Sequence, residues 1–296
     1  MGHELLAAIV AGFAAGMLQF IVASGLTLIY GVMRVLNFAH GALFMLGAFV
    51  CYTVLSGSAD SLAMWLLGVG GAVATVGALG AGTESTIFRR LYTRDHTTTL
   101  LASYALLVTL DGLAQQFWGL TPRTQAQLPL FAGSLKLLGT RLAVYDLVLI
   151  GIGAALAVGL TVLIRGTPYG RAVRAVSADP AMARATGLRA RRIQVSVFAL
   201  GSALAGLAGA LIAPLVSIDP GLAPTFVVQS FAIVIIGGLG SMPGALVAAL
   251  LIGMLDSFAI SFAPDLAGFS LYAGVAVVLL LRPQGLFGTL HARSDT

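Results

Sequence analysis

Apolar residues run along this chain in long unbroken blocks, separated by short polar or glycine-rich breaks. A lipid core is crossed by about 20 helical residues at about 1.5 Å each. Blocks of that order fall at 5–30, 38–55, 61–83, 98–119, 143–164, 193–216, 225–238, 243–262 and 266–281. The block 225–238 is short and runs into Gly237, Gly238 and Gly240, so it reads either as a span or as half a span ending inside the membrane. The runs are continuous, without the alternation of lipid-exposed barrel strands. Helices follow, because in lipid each segment must satisfy its own backbone. The predicted class is an all-α polytopic membrane protein with eight or nine transmembrane segments, some re-entrant or broken.

Composition agrees. The chain is 58% hydrophobic and 9% charged, with mean hydropathy +0.99, whereas soluble domains carry about 25% charged residues. No soluble insert or long linker interrupts 1–296, which reads as one transmembrane domain. The first block is much longer than a signal-peptide core and reads as a mature span. Cys51 lies alone in an apolar run, which reads as a small buried hydrophobe without an intrachain disulfide.

The net charge of +5 does not point to nucleic acid, because the basic residues sit in short loops as orientation signals do. Arg89, Arg90 and Arg94 form one cluster, 165–192 a second, and Arg282 with Arg293 a third. Placing all three on the cytoplasmic side makes 98–119 and 143–164 an out-and-back pair. It puts the C-terminus inside and Asp60, Asp219 and Asp265 outside. The loop 120–142, with Arg123, Lys136 and Arg141, then lies outside against the rule.

Residues 165–192 hold seven of the sixteen Lys and Arg residues. Thr167-Pro168 reads as an N-cap followed by proline at the first helical position, opening a helix over 168–177. Asp179-Pro180 repeats the signal for a helix over 180–186, with Gly187 placed as its left-handed C-terminal residue. The loop is a candidate docking surface; its plainer reading is an orientation signal resting on anionic lipid.

Other features leave alternatives open. Asn37, His40 and Gly41 interrupt the apolar pattern, either as a broken helix lining a cavity or as an ordinary turn. Asp111 and Asp256 lie within spans, where ionisable groups are costly. They read as proton-coupling groups or as structural hydrogen-bonding ones. Small residues recur at helical spacing in Gly201/Ala205/Gly209, Gly70/Ala74/Ala78 and Gly77/Ala81, as close helix packing requires. The stretches 31–49 and 235–253 are weakly alike, a hint of duplicated halves. No nucleophile elbow, zinc motif or phosphate-binding loop is present, so neither catalysis, a cofactor nor a metal is expected.

Four segments carry a resemblance: GLTLIYGVMRVLNFAHGALFMLGAF (25–49), GRAVRAVSADPAMARATGL (170–188), FVVQSFAIVIIGGLGSMPGALVAALLIG (226–253) and RPQGLFG (282–288). In this order they resemble the permease subunits of branched-chain amino acid ABC importers of the LivH type. The resemblance implies import of branched-chain or related small amino acids, amides or urea across the inner (plasma) membrane. It implies a heterodimer with a longer sister permease, an extracytoplasmic substrate-binding protein, and separate ABC ATPase subunits that hydrolyse the ATP. The ATPases would dock on 165–192, at Asp179, Ala183, Arg184 and Gly187. Asn37, His40, Gly237, Gly238 and Gly240 would border the translocation pathway. Ala42 departs from the family, which commonly has an acid there. The competing reading is a self-sufficient proton-coupled carrier using Asp111 or Asp256.

Overall fold

The computed structural model describes residues 2–288 apart from 58, 93, 138 and 267, so Arg293 lies outside the described residues. Helix α1 is Gly2–Met33 and α2 is Ala39–Leu55. Helix α3 is Leu62–Thr83, prolonged by a π turn at Glu84–Phe88 and by Arg89–Leu91. Then come α4 (His96–Trp118), the hairpin β1 (Ser134–Leu137) and β2 (Thr140–Ala143), and α5 (Val144–Gly166). Two short helices follow, α6 (Pro168–Ala178) and α7 (Pro180–Ala185). The chain continues through α8 (Ala190–Ile212), α9 (Leu222–Gly237), α10 (Met242–Phe262) and α11 (Phe269–Leu281).

Nine of these helices coincide with the nine apolar blocks. Six are long and apolar enough to cross a membrane, and α2, α9 and α11 are shorter apolar helices. Three of their starts carry a side-chain cap. Ser61 accepts from the Met64 amide at 3.3 Å, Asp95 from Thr98 at 3.2 Å and Ser241 from Gly244 at 3.2 Å. Each side chain satisfies a backbone donor that the first turn leaves without a partner.

Cross-links between distant segments sort the helix ends onto two faces. On one face, Arg34 reaches the Ser177 carbonyl and the Tyr92 hydroxyl meets Met33 Sδ at 3.1 Å. Leu286 and Phe287 donate backbone hydrogen bonds to Ile236 and Gly237. On the other face, His3 meets Thr140 at 3.2 Å, Arg123 pairs with Ile218, and the Ala126 amide donates to Gly57. Nine crossings therefore put the start of α1 and residue 288 on opposite faces. The short α9 does not stop halfway: it begins beside the Arg123–Ile218 bridge, and Gly240, just beyond its end, lies against Gly31. Of the two readings of 225–238, the structure holds the one in which the helix runs from one face to the other.

Arg34, Arg89, Arg90, Arg94, the seven arginines of 165–192 and Arg282 share the first face. Arg123, Lys136 and Arg141 sit on the other, as expected. Arg123 is held there by structure. Its guanidinium donates to the Trp118 carbonyl at 2.9 Å and lies 5.5 Å from the Tyr52 ring centre.

Helices α2 and α8 form the centre of the bundle. Almost every residue from Ala39 to Phe49 is buried, as are most of those from Phe198 to Ile212. Bare glycine backbones let α8 approach its neighbours: Gly201 faces Gly25 of α1, Gly206 faces Val76 and Ala72 of α3 while Gly47 of α2 faces its backbone, and Gly209 abuts Phe44 and Ala48 of α2. The predicted Gly201/Ala205/Gly209 stripe is thus a contact face. The predicted Gly70/Ala74/Ala78 stripe is not. Those residues are exposed, and α3 buries Gly68, Ala72, Val76 and Gly80 instead. Both sets share the four-residue spacing, so spacing alone cannot choose between opposite faces of one helix. Gly77 does pack, against Ala203. The outer helices present apolar side chains outward, among them Leu67 (70% exposed), Phe117 (76%) and Leu280 (84%). In water that surface would be a large liability; in lipid it costs nothing.

Candidate functional site

The basic loop folds as a structured projection. Thr167 Oγ1 accepts from the Gly170 amide at 3.1 Å, and Pro168 opens α6. Asp179 Oδ1 accepts from Ala181 at 2.7 Å and Met182 at 3.0 Å, opening α7. These backbone donors, Met182 first, hold the Asp179 carboxyl below its usual range. Gly187, at φ +85°, closes α7: its amide bonds the Arg184 carbonyl, and that of Leu188 bonds Ala183, both at 3.0 Å. This is the paired ending expected of a left-handed glycine. Both helices begin and end within a residue of the positions their caps predict.

The inner side of the projection is apolar. Val173, Val176, Ala183 and Ala190 are buried with Leu28 and Val32 of α1 and Val197 of α8. Ala183 is therefore a packing residue. Asp179, Arg184 and Gly187 are exposed, and so is Met182, at 63%. Sequence reasoning passes over Met182, because an apolar residue in a capped helix gives no signal of facing outward. The seven arginines are all exposed. Arg184, Arg189, Arg191 and Arg192 rim an open depression floored by Leu188, Ala190 and Val195.

The break at 34–38 is a real interruption. Arg34 takes φ +53°, an unusual conformation for a side-chain-bearing residue. Asn37 and His40 are both buried. Asn37 Oδ1 accepts from the Ala39 amide at 3.1 Å, while its Nδ2 has no partner. His40 Nε2 donates to the Val22 carbonyl at 3.0 Å, and its Nδ1 has no partner. Ala42 is fully buried in the apolar core. Gly237 and Gly238 are buried too, against Gly244, Ala245 and the backbone of residues 287–288, whereas Gly240 is exposed. The glycine break is packed shut by the C-terminal RPQGLFG segment.

The two intramembrane acids have different surroundings. Asp111 accepts from Gln115 on the same helix at 2.8 Å. Asp256 lines a cleft of about 530 Å³ with Gln19, Thr225, Gln229 and Tyr272, walled by Val228, Ile252, Ile260 and Leu271. The cleft joins α1, α9, α10 and α11. Gln19, Thr225 and Gln229 lie inside apolar blocks of the sequence, and only the fold brings them together. Among the described residues, no cluster of His, Cys, Asp or Glu could hold a metal ion.

A family model described as the permease component of the branched-chain amino acid transport system matches residues 8–281. The high-affinity branched-chain amino acid transport system permease protein BraD of Pseudomonas aeruginosa is 26% identical, over 97% of this chain and 96% of its own. LivH of Escherichia coli, with the same description, is 27% identical over 94% and 93%. The corresponding protein LivM of Escherichia coli is 34% identical, over 40% of this chain and 28% of its own.

Proposed function

The chain belongs to the branched-chain amino acid transport system permease family, and on that premise we propose that it is the membrane-spanning permease subunit of an ABC importer. Its substrates are branched-chain amino acids or closely related small amino acids, amides or urea. Separate ABC ATPases energise it from the cytoplasm. A sister permease completes the pathway, and an extracytoplasmic binding protein delivers the solute. The arginine-bearing face is cytoplasmic by the positive-inside rule, which puts residue 288 and the C-terminus on the cytoplasmic side of the inner membrane.

One observation carries the docking assignment. Two capped helices, α6 and α7, project from the basic face with Asp179, Met182, Arg184 and Gly187 exposed. A rigid, preformed element gives up little entropy on docking. Its buried side touches α1 and α8, so a push from an ATPase passes directly into two spans. Asn37, His40, Gly237, Gly238 and Gly240 border the translocation pathway, Asn37 and His40 at the depth of Val22 along α1 and the glycines nearer its cytoplasmic end, beside Gly31.

Single cysteines at 179–187 in the assembled transporter test this. Cysteines at 181, 182, 184 and 185 should cross-link to the ATPase, and one at buried 183 should not. No cross-link at any position sinks the docking assignment. The carrier reading requires this chain alone, in proteoliposomes, to take up leucine on a pH gradient. We expect no such uptake, and ATP-driven uptake only with the partner subunits.

A further inference from the structure

We propose that a cavity on the arginine-bearing face, where α1 breaks, binds a phosphate group carried by a cytoplasmic solute or by a lipid headgroup. Arg34, Arg94, His96 and Gln194 hold it. The site goes beyond the importer reading, and its binding test does not depend on that reading.

The cavity measures about 310 Å³, at the small end of ligand sites. The end of α1, the segment between the α3 extension and α4, the start of α4, the joint between α6 and α7, and α8 all line it. These walls touch one another. The Tyr92 hydroxyl meets Met33 Sδ at 3.1 Å, Thr99 Oγ1 donates to the Leu91 carbonyl at 3.5 Å, and Arg34 reaches the Ser177 carbonyl at 3.5 Å. The polar groups are therefore gathered around one space, not strung along one helix.

The chemistry is one-sided. Among the described lining residues are two guanidiniums, an imidazole and a side-chain amide, and no carboxylate. The side chains of Arg94, His96 and Gln194 make no hydrogen bond or ion pair with other described residues. All of them can donate, a guanidinium through five N–H groups in a planar fork. The carboxylates of the neighbouring segments serve as caps: Asp95 accepts from Thr98, and Asp179 from Ala181 and Met182. A phosphate group carries a charge of about −1.5 to −2 at neutral pH, which matches two arginines. A monocarboxylate would leave one of them unmatched. Guanidinium–phosphate bonds are charge-assisted and often bidentate. The positive-inside rule accounts for arginines on this face, but not for their convergence with an imidazole and an amide on one cavity without an acid. A phosphate bound there bridges the chain after α1, the chain before α4, and α8. It braces the α1 break in the arrangement seen.

The test uses the full-length chain alone in phosphatidylcholine nanodiscs, so that no ATPase subunit can bind the phosphate. Ala178 lines the cavity and is exposed. Ala178→Cys, in a Cys51→Ala background, should react with N-ethylmaleimide more slowly in inorganic phosphate than in chloride at equal ionic strength. Met182→Cys, exposed but outside the cavity, should react equally in both. Arg94→Gln should raise the phosphate concentration for half protection by about tenfold or more, the scale of a lost charged hydrogen bond. If Arg94→Gln does not reconstitute, His96→Ala takes its place. Protection by phosphate in solution assigns a soluble source, and protection that appears only with phosphatidic acid in the disc assigns a headgroup; either upholds the site. Equal slowing at 178 and 182, protection indifferent to the substitution, or no protection from either source overturns it.

Discussion

Ser177, near the end of α6, donates its hydroxyl to the backbone carbonyl of Gly31, near the end of α1. The Arg34 guanidinium reaches back to the Ser177 carbonyl. The two contacts tie the docking helices to the segment where α1 breaks before α2. Ser177→Ala keeps the helix and its apolar contacts and cuts one tie. Neutral hydrogen bonds contribute about 1 kcal/mol, or about fivefold in an equilibrium. Uptake per ATP hydrolysed should therefore fall by about twofold to fivefold while ATPase activity persists. Uptake and ATPase rate measured on the same proteoliposomes give the ratio, and an unchanged ratio means the tie does not transmit motion.

Asp179 makes the order of α7 depend on pH. Amide hydrogen bonds hold its folded-state pKa below the ordinary carboxylate value. A depressed pKa contributes stability that is present above the unfolded value and lost as pH falls through the folded one. Protection from hydrogen exchange at Ala181 and Met182, taken relative to the unstructured rate at each pH, should be constant near neutral pH and fall only below about pH 4, where a free aspartate protonates. Asp179→Asn caps as well as aspartate does, so it should keep the protection and lose the pH dependence. Asp179→Ala should be poorly protected at every pH.

Gly187 adds a separate constraint on the same helix. A Cβ there would meet open space, so the only penalty is the backbone at φ +85°. Gly187→Ala should cost about 1–2 kcal/mol of local stability and Gly187→Asn less, because asparagine tolerates the left-handed region. Limited proteolysis between 180 and 190 would rank the three; equal protection of glycine and alanine would refute the assignment.

The sequence disclosed these elements unevenly, for physical reasons. Caps, prolines and a terminal glycine act within one turn, so 165–192 is legible to within a residue. Apolar blocks set span length, so all nine crossings are visible. Facing depends on neighbours, so Ala183 reads as exposed when it is buried, and Gly70 reads as a contact when it is not. The Asp256 cleft draws on Gln19, Gln229 and Tyr272, far apart in the chain. Each looks like an isolated polar interruption until α1, α9, α10 and α11 pack together.

The glycines of α8 test that packing directly. Gly209 abuts the backbone of Phe44 and Ala48, and Gly47 faces the Gly206 backbone. These neighbours are central helices with no room to retreat. Gly209→Val should destabilise by about 1–3 kcal/mol or more, as overpacking does. The detergent-solubilised protein should lose several degrees in Tm or fail to assemble. Gly70 lies within a span too, but a Cβ there would meet nothing within 4 Å. Gly70→Ala should therefore lie within about 0.5 kcal/mol of the parent, or gain slightly through helix propensity. Thermal unfolding of the two variants side by side separates contact from mere spacing. If both glycines tolerate substitution equally, α2 and α8 are not in backbone contact.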